Sequence, residues 1–163
     1  MFVYVVGAPG SGKTALVPHL RLALSEWVVH DWDALLPPAS SLTETDIRGA
    51  PSMWGQYDEL VLAAVQEVTR SGVNCVVLGV RTPEELFDWP IDSWLLLDCP
   101  DTERQARLEA DCRSADVPAA LADAARYREL GLRTMVTSAR PLRELADDLA
   151  ATLGMDDARH REI

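Results

Sequence analysis

The 163-residue sequence predicts one α/β domain, a three-layer fold in which a five-stranded parallel sheet is covered by helices on both faces. Three observations predict it. Short apolar runs alternate with stretches of helical periodicity along the whole chain. The runs are apolar throughout, the pattern of strands buried on both faces. A glycine-rich octet stands between the first run and the first periodic stretch, where a strand hands over to a helix.

Residues 2–6 form the first apolar run. A helix follows, with Ala15, Leu16, Leu20 and Leu24 on one face, ending near Ser25. Pro18 falls inside it, where it deletes the bond to the Thr14 carbonyl and is expected to kink the helix. Residues 27–30 are a short second strand. Residues 34–53, with Pro37-Pro38 and Gly49-Ala50-Pro51, read as loop, with room for a short helix capped by Thr43. Leu60, Val61, Ala64, Val65 and Val68 line a helix over 54–70, stopped by Ser71-Gly72. Strands follow over 73–80 and 94–97, then helices over 102–108 and 118–130, the second with Pro118 in its first turn and closed by Gly131. A fifth strand over 132–136 and a helix over 141–153 complete a domain spanning 1–154. The polar tail 155–163 is expected to fray. Strands separated by helices imply right-handed crossovers.

A chain of this length buries roughly 70% of its unfolded surface. Hydrophobic residues make up 48% and charged residues 25%, as in ordinary globular proteins. Cys75, Cys99 and Cys112 are odd in number and lack metal-ligand spacing, so they read as reduced thiols. No signal-peptide pattern or membrane-length apolar run is visible, and a cytoplasmic location is the expectation. A net charge of −11 speaks against a nucleic-acid partner, because binding a phosphate backbone needs a basic stripe.

The octet is Gly7-Ala8-Pro9-Gly10-Ser11-Gly12-Lys13-Thr14, a match to G-x-x-x-x-G-K-[ST] at every position. Its glycines let successive N–H groups converge on one anion, and the helix that begins there adds a partial positive charge. Lys13 is a mobile charge for the β- and γ-phosphates, and the Thr14 hydroxyl is a Mg²⁺ ligand. Residues Ala8, Pro9, Gly10, Ser11, Gly12, Lys13, Thr14 and Ala15 are therefore candidates for binding a nucleoside triphosphate.

From here the chain resembles the small P-loop kinases, the group of shikimate, gluconate and adenylate kinases, over most of residues 1–153. His30-Asp31-Trp32-Asp33 resembles the D-x-D after their second strand. Leu97-Asp98-Cys99-Pro100 with Arg104 and Arg107-Leu108 looks like their fourth strand and the helix leading to the lid. Val136-Thr137-Ser138-Ala139-Arg140-Pro141 looks like the loop that lies against adenine. The resemblance implies a P-loop NTPase fold with strand order 2-3-1-4-5, ATP and Mg²⁺ as cofactors, and ATP lying across the carboxyl ends of the strands. Sequence supports that last point by itself, since ligands of open parallel sheets bind outside those ends.

The resemblance also implies roles. Asp33 orients or deprotonates an acceptor hydroxyl, and Asp31 helps hold the metal; alternatively Asp33 caps a helix beginning at Ala34. In an extended segment both carboxylates share a face. Arg104 and Arg107 are the lid-side arginines, with Ser138, Arg140 and Pro141 beside the base. Three departures stand out: Asp111 replaces the second lid arginine, with Arg113 two residues later; the third strand ends without an acid; and Val136 stands where relatives often have Asp. Arg48, Trp54, Tyr57 and Arg81 are the groups able to reach an acceptor, although tryptophans more often pack than bind. The region over 36–57 is short, which favours a modest-sized acceptor.

The leading expectation is a kinase moving the γ-phosphate of ATP to a small-molecule hydroxyl. Lys13, Asp31, Asp33 and Arg107 would be its catalytic residues, and the protein a monomer or homodimer. Two alternatives are a nucleoside monophosphate kinase, for which Arg48 and Arg81 look sparse, and a nucleotide-binding switch or ATPase without a small-molecule acceptor.

Overall fold

The computed structural model describes residues 1–138 and 140–161, the stretch 155–161 by its backbone alone. Five strands build one parallel sheet: β1 (Phe2–Val6), β2 (Trp27–Asp31), β3 (Asn74–Gly79), β4 (Ser93–Asp98) and β5 (Arg133–Val136), ordered β2-β3-β1-β4-β5. Six helices accompany them: α1 (Lys13–Ala23), α2 (Leu36–Thr43), α3 (Trp54–Arg70), α4 (Asp101–Ala110), α5 (Val117–Arg128) and α6 (Leu142–Arg161). The order β2-β3-β1-β4 places β1 centrally, with Val3 opposite Val76 on one side and Ser93 on the other.

The period of two along each strand divides the side chains between two cores. On one face Phe2, Tyr4, Val6, Cys75, Val77 and Leu96 pack against Tyr57, Val61 and Val65 of α3 and Ala124 and Tyr127 of α5. On the other, Val3, Val5, Val76, Leu78, Leu95 and Leu97 meet Leu16, Val17 and Leu20 of α1 and Leu145, Leu149 and Leu153 of α6. Each such Leu or Val contributes about 1.5–3 kcal/mol by leaving water. The middles of the central strands are therefore apolar, with Asn74, Ser93 and Asp98 at strand ends. The edge strand β5 is not, with Arg133, Thr134 and Val136 exposed.

Local differences from the sequence-based expectation have physical causes. The short helix in the 34–53 region lies before Thr43, not after it: Thr43 ends α2, its hydroxyl donating back to the Ala39 carbonyl at 3.0 Å. Pro37 and Pro38 sit in the first turn, where a missing N–H costs nothing. The capping carboxylate after β2 belongs to Asp31, which accepts the Asp33 N–H at 3.1 Å and starts a 3₁₀ turn over Trp32–Leu35. The segment from Asp31 to Asp33 is consequently not extended, and the face-sharing argument for the two carboxylates does not apply. Helix α1 passes through Pro18, which is exposed. Helix α6 continues beyond Gly154 to Arg161, whereas the expected fraying of 155–163 concerns side chains and a terminus outside the described residues. Among the described residues no helix is long and apolar enough to cross a membrane.

At the carboxyl end of β3, a Cβ on Gly79 would run into the Tyr4 hydroxyl oxygen. No side chain fits there, which accounts for the missing acid. The Tyr4 hydroxyl accepts the Arg81 N–H at 3.3 Å instead.

Candidate active site

All the candidate groups derive from segments that leave the carboxyl ends of the strands. Between β1 and α1 the chain turns back on itself through Gly10 (φ 77°) and Gly12 (φ 93°), left-handed conformations that suit glycine. A Cβ on Gly10 would also press on the Arg104 side chain at 3.0 Å. The turn is pinned by Gly7 N–H to the Gly79 carbonyl (3.0 Å) and Ser11 N–H to the Ala8 carbonyl (3.1 Å). No side chain caps α1, and its first turn holds no acidic residue. Its leading N–H groups thus face outward with the positive end of the helix, a receptive arrangement for an anion.

Lys13 folds back over this loop. Its ammonium donates to the Gly7 carbonyl and, at 3.2 Å, to that of Ala8. Burial lowers its pKa from 10.5 to about 8, opposed by the nearby carboxylates of Asp33 and, less strongly, Asp31. Thr14 and Ala15 are exposed beside it. Ala8 and Ser11 are buried as whole residues, inside the loop and not on the surface of the cleft.

A cleft of about 1330 Å³ runs from this loop across the sheet edge. It gathers Pro9, Gly10, Gly12, Lys13, Thr14 and Ala15 with Asp33, Arg48, Trp54 and Arg81 on one side and Arg107, Arg140 and Pro141 on the other. Arg107 bridges the phosphate loop and the loop after β5. It donates to the Gly10 carbonyl (3.2 Å), the Thr137 hydroxyl (3.0 Å) and the Thr137 carbonyl (3.3 Å), and pairs with Glu103. It therefore lies over the phosphate loop. Arg113, beyond the Asp111 that replaces the second lid arginine, lines the cleft while paired with Asp116 at 2.8 Å.

Four expected site residues lie elsewhere. Arg104 is fully buried beneath the loop, donating to the Pro9 carbonyl at 2.7 Å and paired with Asp98, so its side chain supports the loop from below instead of reaching over it. Tyr57 is a core residue whose hydroxyl donates to the Trp32 carbonyl, because α3 turns it toward the sheet. Asp31 is occupied by the cap it forms and does not line the cleft. Ser138 lines a shallower pocket beside β5 and α6.

Several cleft residues escaped the sequence reading. Thr137 ties the loop after β5 to the phosphate loop, its hydroxyl donating to the Ser11 carbonyl at 2.9 Å and its N–H to the Asp98 carbonyl at 2.8 Å. Glu85, Asp123 and Arg126 line the same cleft as Arg81. The Arg126 guanidinium lies 5.6 Å from the Tyr127 ring centroid. In sequence these are ordinary charges of a loop and a helix; only the packing of α5 brings Asp123 and Arg126 to the cleft beside Glu85. The Asp98–Arg104–Arg128 cluster, with Arg128 also on Asp101 at 2.7 Å, is legible only as a cluster once folded.

The donor set fits a nucleotide-borne Mg²⁺. Among the described residues no group of three His, Cys, Asp or Glu converges. Thr14 is exposed and Asp33 stands in the same cleft. That sparse set suits a cation held chiefly by phosphate and water.

A family model described as "AAA domain" matches residues 3–117, from β1 to the start of α5. The chain belongs to the AAA domain family. No curated protein sequence matches it significantly. Among solved structures this AAA domain is similar to the tunicamycin resistance protein of Deinococcus radiodurans, with 20% identity and a TM-score of 0.71 over 94% of this chain and 95% of that one. It is also similar to shikimate kinase from Acinetobacter baumannii in complex with shikimate (18%, 0.67, 95% and 93%). A gluconokinase from Sinorhizobium meliloti 1021 is a further match (20%, 0.63, 97% and 95%). At these identities what the AAA domain shares with them is the fold, that of the small P-loop kinases.

Proposed function

We propose that this chain is an ATP-dependent phosphotransferase that moves the γ-phosphate to a hydroxyl of a small molecule. One observation carries the reading: the Asp33 carboxylate stands in the cleft that Lys13 and Thr14 line, and it is the strongest charge acting on the Lys13 ammonium. A P-loop alone supports binding; a carboxylate across the cleft from it supports transfer.

The acceptor hydroxyl attacks the γ-phosphorus, a new O–P bond forms, and the bond to the β-phosphate oxygen breaks with its electron pair leaving on ADP. Asp33 takes the hydroxyl proton. Arg48, 3.3 Å from Asp33, orients that carboxylate. Lys13 and the α1 amides neutralise charge on the phosphates, and Arg107 and Thr137 keep the loop in shape for them. Bound with the nucleotide and the Thr14 hydroxyl, Mg²⁺ would neutralise further phosphate charge.

The test is the ratio of acceptor-stimulated to basal ADP release. Asp33→Asn keeps shape but removes the base, and stimulated turnover should fall about 10²–10⁴-fold with ATP affinity unchanged or slightly raised. Stimulation that survives the substitution would remove Asp33 as base. ADP release that no acceptor stimulates would favour a switch or ATPase.

A further inference from the structure

The acceptor side of the cleft carries three guanidinium groups, and each already faces a carboxylate. Arg48 lies 3.3 Å from Asp33. Arg81, whose side chain is 16% exposed, meets Asp58 at 3.0 Å and Glu85 at 3.4 Å. Arg126 lies 3.7 Å from the same Glu85. Glu85 is itself fixed, accepting the Thr82 N–H at 2.8 Å and the Thr82 hydroxyl at 3.0 Å. Asp123 of α5 lines the wall as well, with no ion pair among the described residues. Three arginines of the lining thus stand against three of its carboxylates, Asp33, Glu85 and Asp123, with Asp58 behind Arg81, so the wall offers no excess of positive charge.

We infer that the acceptor is a polyhydroxylated molecule without an anionic group, and that Glu85 sets this preference by neutralising Arg81 and Arg126. This rests on the phosphotransferase reading above. An anion drawn to Arg48 would share that guanidinium with Asp33, whose carboxylate repels it. One drawn to Arg81 would have to displace Asp58 or Glu85 from a guanidinium that is largely out of water, leaving a buried charge without its partner. Hydroxyls face no such cost, since each carboxylate accepts from them and each guanidinium donates to them. The half-buried indole of Trp54, stacked on Trp32 at 5.4 Å between ring centroids, adds apolar surface for the carbon framework.

Matched probes separate charge from shape: glucose against glucuronate, glucitol against gluconate, and uridine against UMP. Binding is measured calorimetrically on the full chain with ADP and Mg²⁺ present, and transfer is measured in parallel with ATP. Wild type should favour the neutral member of a pair by tenfold or more. Glu85→Gln should narrow that ratio about tenfold, the effect of removing one charge near the acceptor. Asp123→Asn, which disturbs none of the Thr82 bonds, should narrow it in the same direction, so a misfolded Glu85 variant does not end the test. Preference for the anionic member, failure to bind any neutral member, or a ratio unmoved by either folded variant overturns the inference. Neutral preference in binding without transfer to any probe would instead count against the phosphotransferase reading and leave the charge preference standing.

Discussion

Lys13 shows how one residue reports on its surroundings. An exposed lysine keeps its proton past pH 10, but here burial holds the pKa at about 8 in the free protein. Triphosphate binding favours the charged form. ATP affinity should therefore be flat below pH 8 and fall above it, approaching tenfold per pH unit, because binding must then take up a proton. The same shift has the opposite sign for folding. Between about 8 and 10.5 the unfolded chain holds the proton that the folded one has lost, so this group's contribution to stability rises with pH. Lys13→Met should bind ATP weakly and show neither slope. Calorimetric ATP titrations from pH 7 to 10 would check it, and a slope persisting in Lys13→Met would assign the titration to another group.

At the scale of elements, α4 acts as a buttress. Its Arg104 touches the Pro9 carbonyl and Asp98, and its Arg107 the Gly10 carbonyl and Thr137, so one helix holds the phosphate loop from beneath and from above. Arg104→Ala removes the buried guanidinium that bonds the Pro9 carbonyl and Asp98, and since Arg128 still pairs with Asp98 the cost should be about 1.5–3 kcal/mol of stability. A lid arginine at the surface would instead lower nucleotide affinity and leave unfolding untouched. Thermal unfolding of the nucleotide-free variant decides, and an unchanged midpoint would return Arg104 to the lid.

The whole molecule is two cores sharing one sheet, with the cleft along its carboxyl edge. Helices α1 and α6 close one core, α3 and α5 the other. Leu149 is fully buried at the α1 side, so Leu149→Ala should cost about 2–5 kcal/mol through the cavity it leaves. At this chain length that lowers the melting midpoint by roughly 2–4 °C per kcal/mol. ATP affinity of the folded fraction should barely change, because α1 and α6 line the cleft by their first residues, Lys13, Thr14, Ala15 and Leu142, and Leu149 lies two turns further along α6. A parallel loss of affinity and midpoint would mean that the α1–α6 packing sets the loop geometry.

Local chemistry determined much of this protein without reference to the fold. Apolar runs specified the strands, Gly7 to Thr14 specified a phosphate cradle, and helical periodicity placed α3 at 54–70, because each signal needs only neighbours a few residues away. Tertiary structure alone decided which charges meet. Arg104 and Arg107 are one helical turn apart and look equivalent in sequence, yet their faces of α4 send one under the loop and the other over it. Asp31 and Asp33 looked like a pair until the 3₁₀ turn used one as a cap and left the other to the cleft. Glu85 and Arg126 are 41 positions apart (126 − 85) and meet only because α5 packs beside the end of β3, where the Tyr127 hydroxyl donates to the Val80 carbonyl. Ion pairing and burial depend on contacts distant in sequence, and no local pattern encodes them.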